Sequence, residues 1–310
     1  MQFNDYLKMC RTHNSLTQEE LVGALYLYDI DQFAGLDTTT LSKWERGVTK
    51  PRSAKQVSII QYFQTRMEMA VPCFHKVPEG EVEKNICAIG MENVIRDSKS
   101  KKLILDFPSA MMAIDDLVTY ELRDSDALDK ASRLNAYLDK NFNHDYTQLS
   151  PADFKRWARI SGNFFLVAEF VDEIVGLLFV LKLTPKAFDN IMKGSIKEQE
   201  LQTDDFAGLH EEGSSYILSF FAMNERAASM LFVRFYAHAI AYQSTIDSVG
   251  VATMMEDAKG LIANIDLPLY HEMTVLDGRT LQFFRASLGD FLATERVVRM
   301  ILTRQDCPAE

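Results

Sequence analysis

The chain has 310 residues, 47% of them apolar and 25% charged, with 14 glycines and 8 prolines; this composition folds as about two domains and excludes disordered, collagen-like and disulfide-stapled miniature folds. Lys and Arg number 33 against 44 Asp and Glu, a net charge of −11, so the molecule as a whole binds polyanions poorly and any nucleic-acid contact has to sit on a local patch. Four scattered cysteines, Cys10, Cys73, Cys87 and Cys307, form no CxxC pair and follow no charged-then-apolar leader, and no apolar run is long enough for a bilayer; the expectation is a reduced cytoplasmic protein with no membrane partner.

Phe3, Tyr6, Leu7 and Cys10 recur at helical spacing and predict a short helix ending near Arg11-Thr12-His13-Asn14. Thr17 with Glu20 three residues on predicts a capping box that opens a second helix, with Leu21, Ala24 and Leu25 on one face. A third helix opens at Asp37, turns Leu41 and Trp44 inward, and stops at Gly47 in the left-handed conformation that glycine adopts cheaply. Charge is uneven along the chain. Residues 1–70 hold eight basic and eight acidic residues, so the remainder carries the whole excess of −11. Within the first part, Leu41 to Arg66 contains Lys43, Arg46, Lys50, Arg52, Lys55 and Arg66 against Glu45 alone. A phosphate backbone attracts such a cluster, and a solvated charged face presents the same pattern.

Leu16-Thr17-Gln18-Glu19-Glu20-Leu21, followed by Thr40-Leu41-Ser42-Lys43-Trp44-Glu45-Arg46-Gly47 and Pro51, resembles the Cro/C1-type helix-turn-helix domain of the XRE regulators over about the first 65 residues. The stretch Tyr26 to Leu36 is longer than that family's usual turn, so either the second helix is extended or a loop is inserted. The resemblance implies a double-stranded DNA partner. Its recognition helix would present Thr38, Thr39, Ser42 and Lys43 to base edges in the major groove, with Thr40 at the rim. Gln18 would clamp a phosphate, and Arg46, Lys50 and Arg52 would reach the backbone. In the family the glutamate at the position of Glu45 pairs with an arginine of the first helix, which implies an internal Arg11–Glu45 ion pair. A single domain of this kind reads few base pairs, so a homodimer is expected.

Met67 to Asp116 mixes Pro72, Pro78, Pro108, Gly80 and Gly90 with short apolar runs, and reads as a linker over 69–116 with a helix at Glu81 to Arg96 and a short strand. Cys73 and His75 are too few ligands for zinc, and no metal site is expected. Beyond it, a strand is predicted at Val118 to Leu122, with helices at Ala127 to Leu138 and Pro151 to Ile160. Phe164 to Phe170 and Ile174 to Leu181 form a hairpin through Val171-Asp172-Glu173. Tyr216 to Ala222 then reads as a strand, Arg226 to Tyr242 as a long apolar helix, Ser248 to Ala252 as a strand, Glu256 to Ile265 as a helix, and Leu281 to Arg285 as extended.

This order of elements resembles the GNAT acyltransferase fold over residues 117–290. The fold class expected is therefore α+β: an N-terminal all-α helix-turn-helix domain (1–68) joined through the linker to a GNAT-like mixed sheet with flanking helices (117–310). In that family a glycine-containing turn after the fourth strand holds the pyrophosphate of coenzyme A on bare N–H groups. Here the matching residues are Met223-Asn224-Glu225-Arg226-Ala227-Ala228-Ser229, without glycine. Asn224 and Glu225 are good cap and first-turn residues in their own right. Tyr270 is the one weak catalytic candidate, as general acid to a leaving thiolate, and a packed aromatic at a helix end is its bland counterpart. His238 reads as packed or surface. Two functions stay open: a transcription regulator, not an enzyme and without a cofactor, whose acyltransferase-like domain senses a small-molecule effector or dimerises; or a DNA-tethered N-acyltransferase using acetyl-CoA. A repressor whose second domain only oligomerises would have no cavity.

Overall fold

Five helices occupy the first 67 residues: α1 Phe3–His13, α2 Gln18–Tyr28, α3 Ile30–Phe33, α4 Thr38–Glu45 and α5 Ser53–Met67. The computed structural model describes residues 1–93, 103–104, 116–123, 126–138, 149–275 and 278–302. Side-chain caps open α2, α3 and α4, at Thr17, Asp29 and Asp37. Thr17 accepts the Glu20 N–H at 3.1 Å while the Glu20 carboxylate accepts the Thr17 N–H at 2.7 Å, the reciprocal box expected at α2. Those bonds hold the Glu20 carboxyl below its ordinary pKa. Over Tyr26 to Leu36, α2 runs on to Tyr28, and Asp29 then caps an inserted single turn, α3, whose Phe33 is buried in the helical core. Gly47 follows α4 at φ +70°, where a side chain would be strained.

Next comes α6, Glu79–Asn93, which starts before the predicted helix; the expected end at Arg96 lies outside the described residues. It packs on a later helix, α10 (Glu225–Ala241), and buries Val82 and Ile86. Between them run β1 Leu117–Glu121, α7 Asp126–Leu138, α8 Pro151–Ala158, β2 Phe164–Phe170, β3 Glu173–Leu183, α9 Pro185–Met192 and β4 Gly213–Ala222. After α10 come β5 Ile246–Thr253, α11 Glu256–Asn264, β6 Leu269–Thr274, β7 Thr280–Ser287, α12 Leu288–Leu292 and α13 Glu295–Leu302. The β2–β3 hairpin turns through Val171 and Asp172, both at positive φ (50° and 62°), the twist a two-residue hairpin demands.

The strands form one sheet in the order β1-β2-β3-β4-β5-β7-β6, antiparallel throughout except for the parallel pair β4–β5. This is the expected α+β architecture, N-terminal helices followed by a GNAT-like mixed sheet. One sheet face, with Leu166, Leu178, Val180 and Val249, is covered by α10, and that core runs without a break into Phe63, Leu7 and Leu41 of the N-terminal helices. The other face, with Phe165, Leu177, Phe179 and Phe283, is covered by α7, α8 and α9. Polar bonds tie the helical unit to the sheet domain: Gln64 donates to the carbonyl of Gly289 (3.0 Å), and the Gln243 amide pairs with both backbone groups of Val71 (2.6 and 3.1 Å). Among the described residues, no helix is long and apolar enough to cross a membrane.

Candidate functional site

Helix α4 is amphipathic in the way its sequence dictates. Leu41, Trp44 and Glu45 face inward, while Thr38, Thr39 and Lys43 are exposed and Thr40 and Ser42 half-buried. Asp37 fixes its start by accepting the Thr40 N–H at 2.6 Å, and that bond holds the Asp37 carboxyl below its usual range. Arg46, Lys50 and Arg52 are all exposed at and just beyond the helix end, and Arg46 folds back toward the Ser42 carbonyl (3.3 Å). Apart from Gln18, the residues singled out for base edges and for phosphates are thus exposed or half-buried along α4 and just beyond its end.

Behind that face lies a polar brace. Arg11 of α1 grips Glu45 with two nitrogens, Nε to Oε1 at 2.5 Å and Nη2 to Oε2 at 3.1 Å, and donates a third bond from Nη1 to the carbonyl of Leu16 at 2.7 Å. The hydrogen bond to Glu45 raises the arginine pKa further. The pair implied by the helix-turn-helix resemblance is therefore formed. Gln18 joins it, donating from Nε2 to Glu45 Oε2 at 2.8 Å. The structure thus places the side chain proposed as a phosphate clamp against Glu45, where it spends an amide hydrogen on aligning α2 with α4.

A second locus arises from sheet geometry. Strands β4 and β5 pair in parallel only as far as Ile217 and Val251, then diverge while β4 continues to Ala222. A bulge at Leu218, where Val180 faces Ile217 but Phe179 faces Ser219, bends β4 at that point. The gap between the strands is a cavity of about 120 Å³ that runs between the two sheet faces. Phe232, Ala258, Leu261 and Ile262 line it from the α10–α11 side, and Asn135, Leu138 and Leu149 from the α7 side. At its polar end the Tyr216 hydroxyl donates to Glu198 Oε1 at 2.5 Å. Burial pushes the Glu198 carboxyl up, against the opposing effect of that hydrogen bond. Neither residue is signalled by the sequence, because Glu198 opens a single 3-10 turn in a polar stretch with no periodicity.

Two chain features bear on coenzyme A. The Asn224 side chain, 3% exposed, accepts the Ala227 N–H at 2.9 Å, and the Ala228 N–H goes to the Asn224 carbonyl at 3.1 Å. The Ala227 amide is thus committed to the cap, the Ala228 amide makes the helix's first regular bond, and Glu225 adds a carboxylate at the same helix end. On the edge of β4 facing the gap, Ile104 bridges Ala222, whose N–H donates to the Leu103 carbonyl at 2.8 Å; Leu103 N–H donates to Asp257 at 3.1 Å. The cap bond on Ala227 and the Glu225 carboxylate both disfavour an anion at the start of α10, beside which Arg226 is the one basic residue of the turn.

Tyr270 is half-exposed (47%) near the start of edge strand β6, not at a helix end, and does not line the cavity; Arg285 lies over its ring at 5.7 Å. His238 is buried, stacked on Phe164 at 4.1 Å with Nδ1 3.4 Å from Glu79. Burial lifts the Cys10 and Cys73 thiols to about 12, which removes both as thiolate nucleophiles near neutral pH. No group of metal-ligating side chains occurs among the described residues.

No family model matches the chain, and no curated protein matches it. Solved structures similar in part include an N-acetyltransferase from Staphylococcus aureus Mu50 (10% identity, 56% of this chain and 97% of that one, TM-score 0.36). Others are an N-acyl amino acid synthase from uncultured soil microbes (8%, 56% and 92%, 0.39) and aminoglycoside 6′-acetyltransferase type Ii (9%, 55% and 97%, 0.37).

Proposed function

We propose that the chain is a sequence-specific DNA-binding transcription regulator, with residues 1–68 reading double-stranded DNA as part of a homodimer and the acyltransferase-like domain, residues 117–310, sensing a small molecule or mediating dimerisation. The observation that carries the reading is the solvent face of α4: Thr38, Thr39 and Lys43 beside Arg46, Lys50 and Arg52, on a helix whose inner side is locked by Arg11, Glu45 and Gln18. Exposed short side chains at the helix start meet base edges, and the cations beyond it meet phosphates. The acidic remainder of the chain stays off the duplex by charge.

Acetyl-CoA-dependent acyl transfer is the competing function, and the capped amide of Ala227 and the Glu225 carboxylate beside it speak against it. Selection of bound duplexes from a random library by the full chain tests the reading. The expected product is a bipartite site with half-sites about one helical turn apart. Recovery of no enriched sequence, together with saturable acetyl-CoA binding in a calorimetric titration, would reverse the assignment.

A further inference from the structure

We infer that Arg299, on the last helix of the sheet domain, is a further phosphate-contacting residue of the DNA face, so that both parts of the chain hold the duplex backbone. This rests on reading residues 1–68 as the DNA-binding unit.

Packing makes the juxtaposition. Helix α13 buries Val297, Val298, Met300, Ile301 and Leu302 and docks on α5 and α6. Docking on α5 carries Arg299 across 246 positions of sequence to the start of that helix, where its Nη2 donates to Ser53 Oγ at 3.3 Å. Ser53 directly follows Arg52, one of the three cations assigned to the DNA backbone, so Arg299 extends that row of cations from the far side of the domain boundary. The sheet domain is acidic on average, and α13 is where it meets the duplex.

Three features make Arg299 a phosphate contact rather than a clamp between helices alone. Its side chain is 65% exposed, which leaves a planar fork suited to phosphate within reach of solvent. The carboxylate it pairs with, Glu295 at 3.2 Å, is 52% exposed and one turn back on the same helix. Such a pair is weak and screened by salt, and a phosphate displaces the carboxylate readily. The first turn of α5 holds no acidic residue, so no carboxylate of that turn competes with the duplex. The other cation of α13, Arg296, acts instead on Asp266, where it counters the rise that burial imposes on that carboxyl.

The test is fluorescence anisotropy of the full chain against salt, on a labelled random duplex and on a selected one. Arg299→Ala should flatten the log–log slope by about 0.9 per protomer, in addition to the share of Arg46, Lys50 and Arg52 and equally on both duplexes. At about 0.1 M salt that is about an eightfold loss of affinity per protomer, the 0.9 power of a tenfold dilution from about 1 M. The thermal midpoint should stay close to that of the wild type. Arg299→Lys retains the charge and should retain the slope. Glu295→Gln removes the competing carboxylate and should tighten binding on both duplexes. Arg156→Ala deletes an exposed cation of α8, on the opposite side of the sheet, and should leave the slope alone. An unchanged slope in Arg299→Ala, whatever its thermal midpoint, overturns the inference and leaves a clamp between helices. Equal flattening in Arg156→Ala overturns it as a general charge effect. The two claims separate on the same samples. Salt-dependent binding that responds to Arg46, Lys50 and Arg52 but not to Arg299 refutes only the further contact, whereas a wild-type slope near zero refutes the DNA-binding reading beneath it.

Discussion

Replacing Arg11 by alanine should destabilise the N-terminal helices by about 3 kcal/mol. The magnitude follows from what the substitution leaves behind. The Glu45 side chain is 5% exposed and that of Arg11 15%, so deleting the guanidinium strands a buried carboxylate, a loss that runs about 3–5 kcal/mol where no partner remains. Gln18 still donates to Glu45 Oε2 at 2.8 Å, which places the cost at the lower end, while the Leu16 carbonyl also loses its donor. Trp44, adjacent to Glu45 and buried, reports on this unit once Trp157 is replaced by phenylalanine. In urea, with a slope of about 1–3 kcal/mol per molar, the midpoint should fall by about 1–3 M. Arg11→Met combined with Glu45→Leu should recover most of the loss, because a buried ion pair and an apolar pair of similar volume differ little. A midpoint that does not move in Arg11→Ala, or a double variant as unstable as the single one, refutes the reasoning.

Thr39→Ala should relax base preference at one position by about 1 kcal/mol or more while leaving overall duplex affinity nearly intact, as read by competition among operator variants; equal weakening on every sequence would mean that α4 is turned differently. Asn224→Ala removes a buried cap and should cost about 1 kcal/mol in thermal or urea unfolding, and an unchanged midpoint would show the cap to be idle. Lys182 is buried and donates to the Leu209 carbonyl and the Thr245 hydroxyl, each at 2.9 Å, and burial pushes its ammonium down to about 8. The unfolded ammonium titrates near about 10.4, so between these values the unfolded state holds more protons and stability rises with pH. Thermal midpoints of the wild type should climb across that window relative to Lys182→Met; parallel profiles would contradict the assignment.

Local rules made the N-terminal unit legible. The Thr17–Glu20 box, the Asp37 cap and the glycine stop at Gly47 each follow from a few adjacent residues, and each appears in the structure. The β2–β3 hairpin and the sequence from β4 through α11 followed from period and length. Long-range placement was not legible. Nothing in Glu79 to Asn93 announces that this stretch docks on α10 more than a hundred residues later, and nothing in Leu103-Ile104 announces a partner at Ala222. Sequence analysis also leaves α13 unassigned, although Val297, Val298, Ile301 and Leu302 recur at helical spacing. The Glu198–Tyr216 pair is invisible for a different reason: its depth comes from the splay of two strands, which depends on where pairing stops and not on any residue pattern.

The central claim is that the face carrying Arg46, Lys50 and Arg52 lies on a phosphate backbone, and the salt dependence of duplex affinity for the full chain measures this directly. With about −0.9 in the log–log slope for each phosphate neutralised, three contacts give a slope of about −2.7 per protomer and about −5.4 for a dimer. Replacing all three by alanine should flatten the slope by that amount, equally on specific and random duplexes. A slope near zero, or one that the triple replacement leaves unchanged, would contradict the account.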